Sequence, residues 1–371
     1  MTVPEQETFT VSTRDDAAGR TRMAAWLAGK VGADVEISAF ERPSANGMSS
    51  DTVLFDATWD GCGGAFVARV EPALDAYPVF PSYDLGLQVR LMRLVGERTA
   101  VPVPTVRWHE TDPRPFGAPF FVMDRVEGRV PPDVMPYPMG SWVSEASEAD
   151  RAGLQDATVG LIAAIHGLEA GPDELAFLDA GGMGASPLRR HVDAERAYLA
   201  WTEAGLGAEL PLLHRAFDWL DAHWPVAADE REAVACWGDA RIGNVIYDGF
   251  TPVAVLDWEM AALAPPELDL GWTIFLHRFF QDICTTFELP GLPTFLRRDD
   301  VVESYTRHGG REPVDLDWFI AYAAVRHGTV MARVMDRQVQ FGEREAPESP
   351  EELILHRDAI AALIDGTYEL P

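Results

Sequence analysis

The sequence predicts an α+β chain in two lobes, a small antiparallel sheet first and a larger, mainly helical lobe after it. Three observations carry this. Up to Asp124 the chain holds short apolar and β-branched runs separated by turn residues. From Asp150 onward apolar residues recur at helical spacing, as in Leu154, Ala157, Leu161 and Ile165. Between the early helices of that second part and the late ones lies 234–258, VACWGDARIGNVIYDGFTPVAVLDW, where polar groups sit between short apolar runs in a strand–turn–strand rhythm. At 371 residues the chain is long enough to bury the cores of two lobes.

In chain order, 15–31 reads as a helix, 35–41 as a strand and 52–58 as the next strand, with a polar loop between them. The turn DGCGG leads into a strand over 65–70. A helix over 82–99 is closed by Val101-Pro-Val-Pro104. Residues 118–128 read as a buried strand ending in a polar linker. Residues 130–147 carry four prolines and form a loop-like insert, either a cover for the site or a surface connector. Helices are expected over 150–168, 189–205, 210–223, 315–334 and 351–365, with a polar linker at 343–350.

Composition narrows the function. Hydrophobic residues make up 47% of the chain, which points to a packed core rather than disorder. No apolar run reaches the roughly 18 residues of a membrane-spanning helix. The acidic, polar start MTVPEQETFTVSTRDD is not a signal peptide. Cys62, Cys236 and Cys284 are isolated, without metal-ligand spacing, and fit a reducing, cytoplasmic compartment. A net charge of −29 argues against nucleic acid and anionic membranes as partners. A cationic small-molecule acceptor is compatible with it, and so is a purely solubilising role. Lys30 is the only lysine.

The run 234–258 carries the chemistry. Asp239 and Asn244 are five positions apart, and Asp257 follows eighteen after Asp239. Mg²⁺ takes hard oxygen ligands, so one Asn and one Asp, completed by phosphate oxygens and waters, suit it. Asp239 can accept a hydrogen bond from an attacking hydroxyl and align it with the γ-phosphorus of ATP. Arg241 can stabilise charge on the transferred group. Asp248-Gly249 is a hairpin signal, and the hairpin would bring Asn244 and Asp257 side by side. The competing reading makes Asp257 the N-cap of a helix through EMAALA.

Trp237-Gly238-Asp239, four residues, Asn244, then Asp257-Trp258-Glu259 resembles the signature of the aminoglycoside phosphotransferase and choline kinase-like family, relatives of the protein kinases. The resemblance runs over roughly 40–334 and implies a bilobal kinase-like fold that uses ATP and Mg²⁺. It implies a nucleotide-binding lobe at 1–123, a hinge at 124–128 and a catalytic and acceptor-binding lobe at 129–371. Trp237 stands where the family has His, and Asp269 matches an Asp that braces the catalytic loop. His166 matches a packed helical His. Arg69 occupies the position of the phosphate-gripping Lys, with Gln88 where its Glu partner is usual, so the resemblance implies an Arg69–Gln88 hydrogen bond. Gly47, Ser49 and Ser50 match the phosphate-covering loop. Met123 would line the adenine pocket, with the Asp124 carbonyl and the Val126 amide at the adenine edge. Late helices would supply acceptor contacts, with Asp282, Glu288, Tyr322 and Arg326 as candidates. The form WGDARIGN…LDWEMAAL is most similar to the branch fused to acyl-CoA dehydrogenases, which implies hydroxy acids or acyl thioesters as alternative acceptors. The departures at Arg69, Gln88 and Trp237 also admit a nucleotide-binding pseudo-kinase with a regulatory role.

Overall fold

The computed structural model describes residues 14–42 and 50–368. Helix α1 (Asp16–Val31) is capped by the Asp15 carboxylate and followed by β1 (Glu36–Glu41), β2 (Asp51–Trp59) and β3 (Cys62–Val70). β3 begins three residues earlier than the sequence reading placed it. Trp59 pairs with Cys62, so the turn is the two residues Asp60 and Gly61 at φ 47° and 73°, both left-handed as a tight hairpin turn needs. Helix α2 (Leu85–Arg98) starts on an Asp84 cap. It is followed by β4 (Val106–Glu110) and β5 (Phe120–Asp124). The five strands form one antiparallel sheet in the order β1-β2-β3-β5-β4. One face buries Met23 and Leu27 of α1 against Phe55 and Phe120. The other face, with Val67, Phe121 and Met123, joins α2 and the main core of the second lobe.

The second lobe opens with α3 (Glu148–His166) and the single turn α4 (Pro172–Leu175). Next come α5 (Pro187–Leu206), α6 (Pro211–Ala222) and the single turn α7 (Val226–Asp229). Two small ribbons follow. β6 (Val234–Cys236) pairs with β9 (Ala262–Ala264), and β7 (Val245–Asp248) pairs with β8 (Thr251–Val255). EMAALA is therefore a turn and a strand, not a helix. Helix α8 (Glu267–Thr286) then packs along α10 (Leu316–Gln340), with α9 (Arg298–Arg307) between them in sequence. Gly271 permits this approach, since a Cβ there would lie 2.6 Å from the Phe319 carbonyl carbon. The last helix, α11 (Arg357–Ile364), is shorter than expected, because Pro350–Leu353 form a separate 3₁₀ turn and Ile354 after it is extended. No helix among the described residues is long and apolar enough to cross a membrane.

Candidate active site

Asp239 lies between β6 and β7 on a loop held from behind. The buried Asp269, in the first turn of α8, accepts the Trp237 and Gly238 amides at 2.7 and 2.8 Å. His166 meets the same carboxylate through Nε2 at 2.9 Å, and its Nδ1 lies 2.8 Å from the Tyr305 hydroxyl. His166 is thus a packed partner of the brace. Gly238 has φ 89°, and a Cβ there would stand 1.8 Å from the Met260 carbonyl oxygen, so only glycine fits. Trp237 is fully buried and its indole N–H donates to the Leu256 carbonyl at 2.8 Å. The ring that stands in for a histidine therefore ties the loop to the residue before Asp257.

Three side chains donate to the Asp239 carboxylate. Trp272 Nε1 and Asn244 Nδ2 each approach to 2.6 Å, on Oδ1 and Oδ2 respectively, and Arg241 Nε reaches both oxygens at 3.0 and 3.1 Å. A carboxylate offers about four lone-pair sites and these four contacts occupy them, so an attacking hydroxyl must displace the longest pair, the hydrogen that Arg241 Nε splits between the two oxygens. Asn244 commits its Nδ2 to Asp239, which leaves Oδ1 as its ligand atom. The Leu256 amide donates to the Asn244 carbonyl at 2.8 Å, which brings Asn244 and Asp257 together as their spacing predicted. Asp257 has φ 58°, a left-handed conformation that non-glycine residues adopt at a cost, and it caps no helix.

Arg69 departs from expectation. It forms no pair with Gln88, which is buried with its Nε2 unpartnered. Its guanidinium instead crosses to the second lobe, 2.9 Å from Asp257 Oδ1 and 3.6 Å from Glu259 Oε2, and also donates to Thr52 Oγ1 at 3.3 Å. A neutral amide cannot compete with two carboxylates for a buried cation. Burial pulls the Arg69 pKa down, and Asp257 and Glu259 more than offset this, so it lies above its ordinary value. Arg241 is likewise turned to carboxylates, with Nη1 2.5 Å from Asp133 and Nε on Asp239. Burial lowers its pKa, Asp133 and Asp239 raise it, and the net shift is upward.

Two cavities flank these groups. One, of about 330 Å³, runs under the sheet. Arg69, Gln88, Met123, Asp124, Val126, Asn244 and Asp257 all line it. Gly128, at φ 150°, passes close to the Tyr247 backbone at its far end. The other, of about 260 Å³, lies between α8 and α10. Its walls are apolar: Leu276, Phe279, Phe280 and Ile283 on α8, Val330, Met331 and Val334 on α10. Both sets repeat at helical spacing. Asp239 faces this second cavity, and Asp133, Arg241 and Asp257 line both.

Several expected site residues fall elsewhere. Ser50 is fully buried beside Asp51 and does not line the cleft, while Gly47 and Ser49 lie outside the described residues. None of Asp282, Glu288, Tyr322 and Arg326 lines the apolar cavity. Asp282 pairs with Arg278, the Tyr322 hydroxyl lies 2.7 Å from His191, and Arg326 pairs with Glu195. On α10 the cavity face begins one residue later, at His327. Three residues of the site were missed: Asp133, a lone acid in the proline-rich insert, and Glu259 and Trp272, whose signal was their place inside the quoted motifs.

Residues 42–310 match the family described as "Phosphotransferase enzyme family". Among curated proteins the chain is 24% identical over 306 residues to Probable acyl-CoA dehydrogenase IBR3 of Arabidopsis thaliana, covering 79% of this chain and 35% of that protein. It is 25% identical over 288 residues to acyl-CoA dehydrogenase family member 10 of Mus musculus, covering 74% and 24%. The chain thus spans about a third or less of the length of these relatives. Among solved structures it resembles a presumed aminoglycoside phosphotransferase of Ralstonia eutropha, at 19% identity, TM-score 0.62 and coverage of 94% and 97%. A thermostable mutant of the aminoglycoside phosphotransferase APH(4)-Ia, solved with AMP-PNP and hygromycin B, aligns at 15% identity, TM-score 0.54 and coverage of 93% and 98%. At these identities the structural likeness establishes the bilobal kinase-like fold.

Proposed function

The chain belongs to the phosphotransferase enzyme family, and from that membership we propose that it transfers the γ-phosphate of ATP to an alcohol where the two cavities meet. The observation that carries this is the sharing of Asp133, Arg241 and Asp257 by both cavities, with Asn244 on one side and Asp239 on the other. In this reading the nucleotide lies under the sheet, against Met123, with the Asp124 carbonyl and Val126 amide of the 124–128 hinge at the adenine edge. Arg69 reaches its phosphates. Asn244 Oδ1 and the Asp257 carboxylate are hard oxygen donors on one cleft, a set that fits Mg²⁺. Bound there, the ion would screen phosphate charge. Asp239 accepts the hydroxyl's hydrogen bond and then its proton, as the alcohol oxygen bonds to the γ-phosphorus and the bond to the bridging oxygen of ADP breaks. Arg241 holds Asp239 in place and presents its charge at the junction.

On the acceptor side, the apolar walls between α8 and α10 favour an alcohol with an apolar body, of the hydroxyacyl-thioester kind, over a polycation, while Asp133, Asp239, Asp257 and Glu259 on the same cavity would repel the carboxylate of a free hydroxy acid. The three donors on Asp239 favour transfer over a purely nucleotide-binding role, since such a role has no use for an oriented carboxylate facing a second cavity. Three unpaired cysteines support a reducing, cytoplasmic setting.

The test pairs two variants in an ATP-consumption assay over a panel of alcohols, with ATP affinity measured by calorimetry. Asp239→Ala loses about 10²–10⁴-fold in turnover and keeps ATP binding. Asp257→Ala loses Mg²⁺-dependent binding. Unchanged turnover in Asp239→Ala would sink the assignment.

A further inference from the structure

The apolar cavity holds one polar side chain that phosphate transfer leaves unused. His327, on α10, lines it and is 9% exposed. Among the described residues it forms no hydrogen bond; its Nδ1 is sealed within the protein without a partner, so Nε2 is the atom that can meet a molecule in the cavity. The ring stands in an aromatic box, edge-on to Trp272 at 6.0 Å and Phe279 at 4.9 Å and tilted over His356 at 4.8 Å. His356 has its own partner, the Ala324 carbonyl at 2.9 Å from Nε2. A phenyl ring would fill such a box without an unpaired polar group, so the imidazole costs stability relative to Phe, and a hydrogen bond from a ligand to Nε2 would offset part of that cost.

Trp272 links this ring to the chemistry. Its indole N–H is on Asp239 at 2.6 Å, and its ring packs on His327. A hydroxyl at Asp239 and a polar group at His327 are therefore separated by the breadth of one indole. The rest of the bound molecule meets Leu276, Phe280, Ile283 and Val334.

We infer that His327 determines acceptor specificity: it hydrogen-bonds a second polar group, a hydroxyl or carbonyl oxygen, on an otherwise apolar alcohol whose reacting hydroxyl lies at Asp239. The inference rests on reading this cavity as the acceptor site. Burial, then His356 and Arg241, hold the imidazole pKa well below its ordinary value. The ring is neutral, and Nε2 donates or accepts according to the tautomer. The arrangement suits a neutral second group, because Arg241, the one guanidinium lining the cavity, is committed to Asp133 and Asp239.

The experiment measures binding of 1-octanol, octane-1,4-diol and octane-1,5-diol to the full chain by tryptophan fluorescence, without nucleotide, for the wild type, His327→Phe and His327→Gln. The wild type binds at least one diol about 3- to 10-fold more tightly than 1-octanol, the range one hydrogen bond supplies. His327→Phe keeps 1-octanol affinity and loses that preference, His327→Gln retains part of it, and His327→Phe melts no lower than the wild type. Equal affinity of diols and 1-octanol for the wild type, or an undiminished preference in His327→Phe, overturns the inference. Because no nucleotide is present, an absence of turnover alongside a His327-dependent diol preference counts against phosphate transfer alone.

Discussion

Gly238→Ala tests whether the loop behind Asp239 sets catalysis without touching any reacting group. The added Cβ would stand 1.8 Å from the Met260 carbonyl oxygen, where real contacts keep at least 3.0 Å. The loop must therefore retreat by at least 3.0 − 1.8 = 1.2 Å, or the Met260 backbone must. Asp239 is the next residue. Its 2.6 Å bonds from Trp272 and Asn244 would lengthen past hydrogen-bonding distance under a shift of that size. A misplacement of about 1 Å costs on the order of 10²-fold in rate, so turnover falls by about that factor. The φ of 89° adds strain for any residue with a Cβ. With the clash, the cost is about 3 kcal/mol or more and the melting temperature falls by about 5 °C. Calorimetric melting and ADP release with the best alcohol of a panel read the two effects. A variant that melts within about 1 °C of the wild type and turns over at its rate would refute the steric reasoning.

Two further outcomes follow. Trp272→Phe keeps the ring and deletes the donor to Asp239, so kcat falls about tenfold or more while nucleotide affinity stays, and an equal loss in both would show that the indole acts only through packing. Acid should also weaken the fold through buried histidines. Burial lowers the pKa of His277 and His356 from 6.5 to about 4 in the folded state, the Leu292 and Ala324 carbonyls opposing. The unfolded chain binds these protons first, so stability present above pH 6.5 is lost as pH falls toward 4, by up to about 3 kcal/mol for each group. His356→Phe should flatten the melting temperature between those two pH values, and an unchanged slope would remove His356 from the account.

The parts of the fold legible in the sequence are those where local pattern and tertiary demand agree. β2 alternates in burial along Asp51–Trp59, and α1 carries its own cap at Asp15. EMAALA has helical propensity, yet Ala262–Ala264 pair with Val234–Cys236, because the loop bearing Asp239 needs a ribbon to hold both ends. α8 was expected only through the resemblance, as the helix that bears Asp269, since it is buried nearly all round, which removes the amphipathic period. In the site, Asp239, Asn244 and Asp257 were legible because one hairpin delivers them. Asp133 was not, since what identifies it is an arginine 108 positions away, and Glu259, although inside the quoted motif, gains its part only from Arg69, 190 positions off. The acceptor candidates failed for a related reason. The candidates were polar residues on late helices, and the faces those helices turn to the cavity are largely apolar.

The arginine at position 69 changes how the two lobes are joined. A lysine there would place a compact point charge, and one glutamate on α2 would balance it within the first lobe. The chain has Gln88 on α2, which carries no charge, and a guanidinium with five donors. A buried cation of that kind requires carboxylates, and the nearest stand on the loop after β8, as Asp257 and Glu259. The balancing charge therefore comes from the second lobe, across the cavity that the proposed function gives to the nucleotide. In that reading, phosphates entering there would compete with Asp257 for Arg69, while Glu259 stands 3.6 Å from the guanidinium. If the proposed function holds, this chain with a single lysine keeps a cation for the phosphates by sharing one acid with the candidate metal site and adding a second beside it, and occupancy of that cavity and the Arg69–Asp257 contact between the lobes would be parts of one equilibrium.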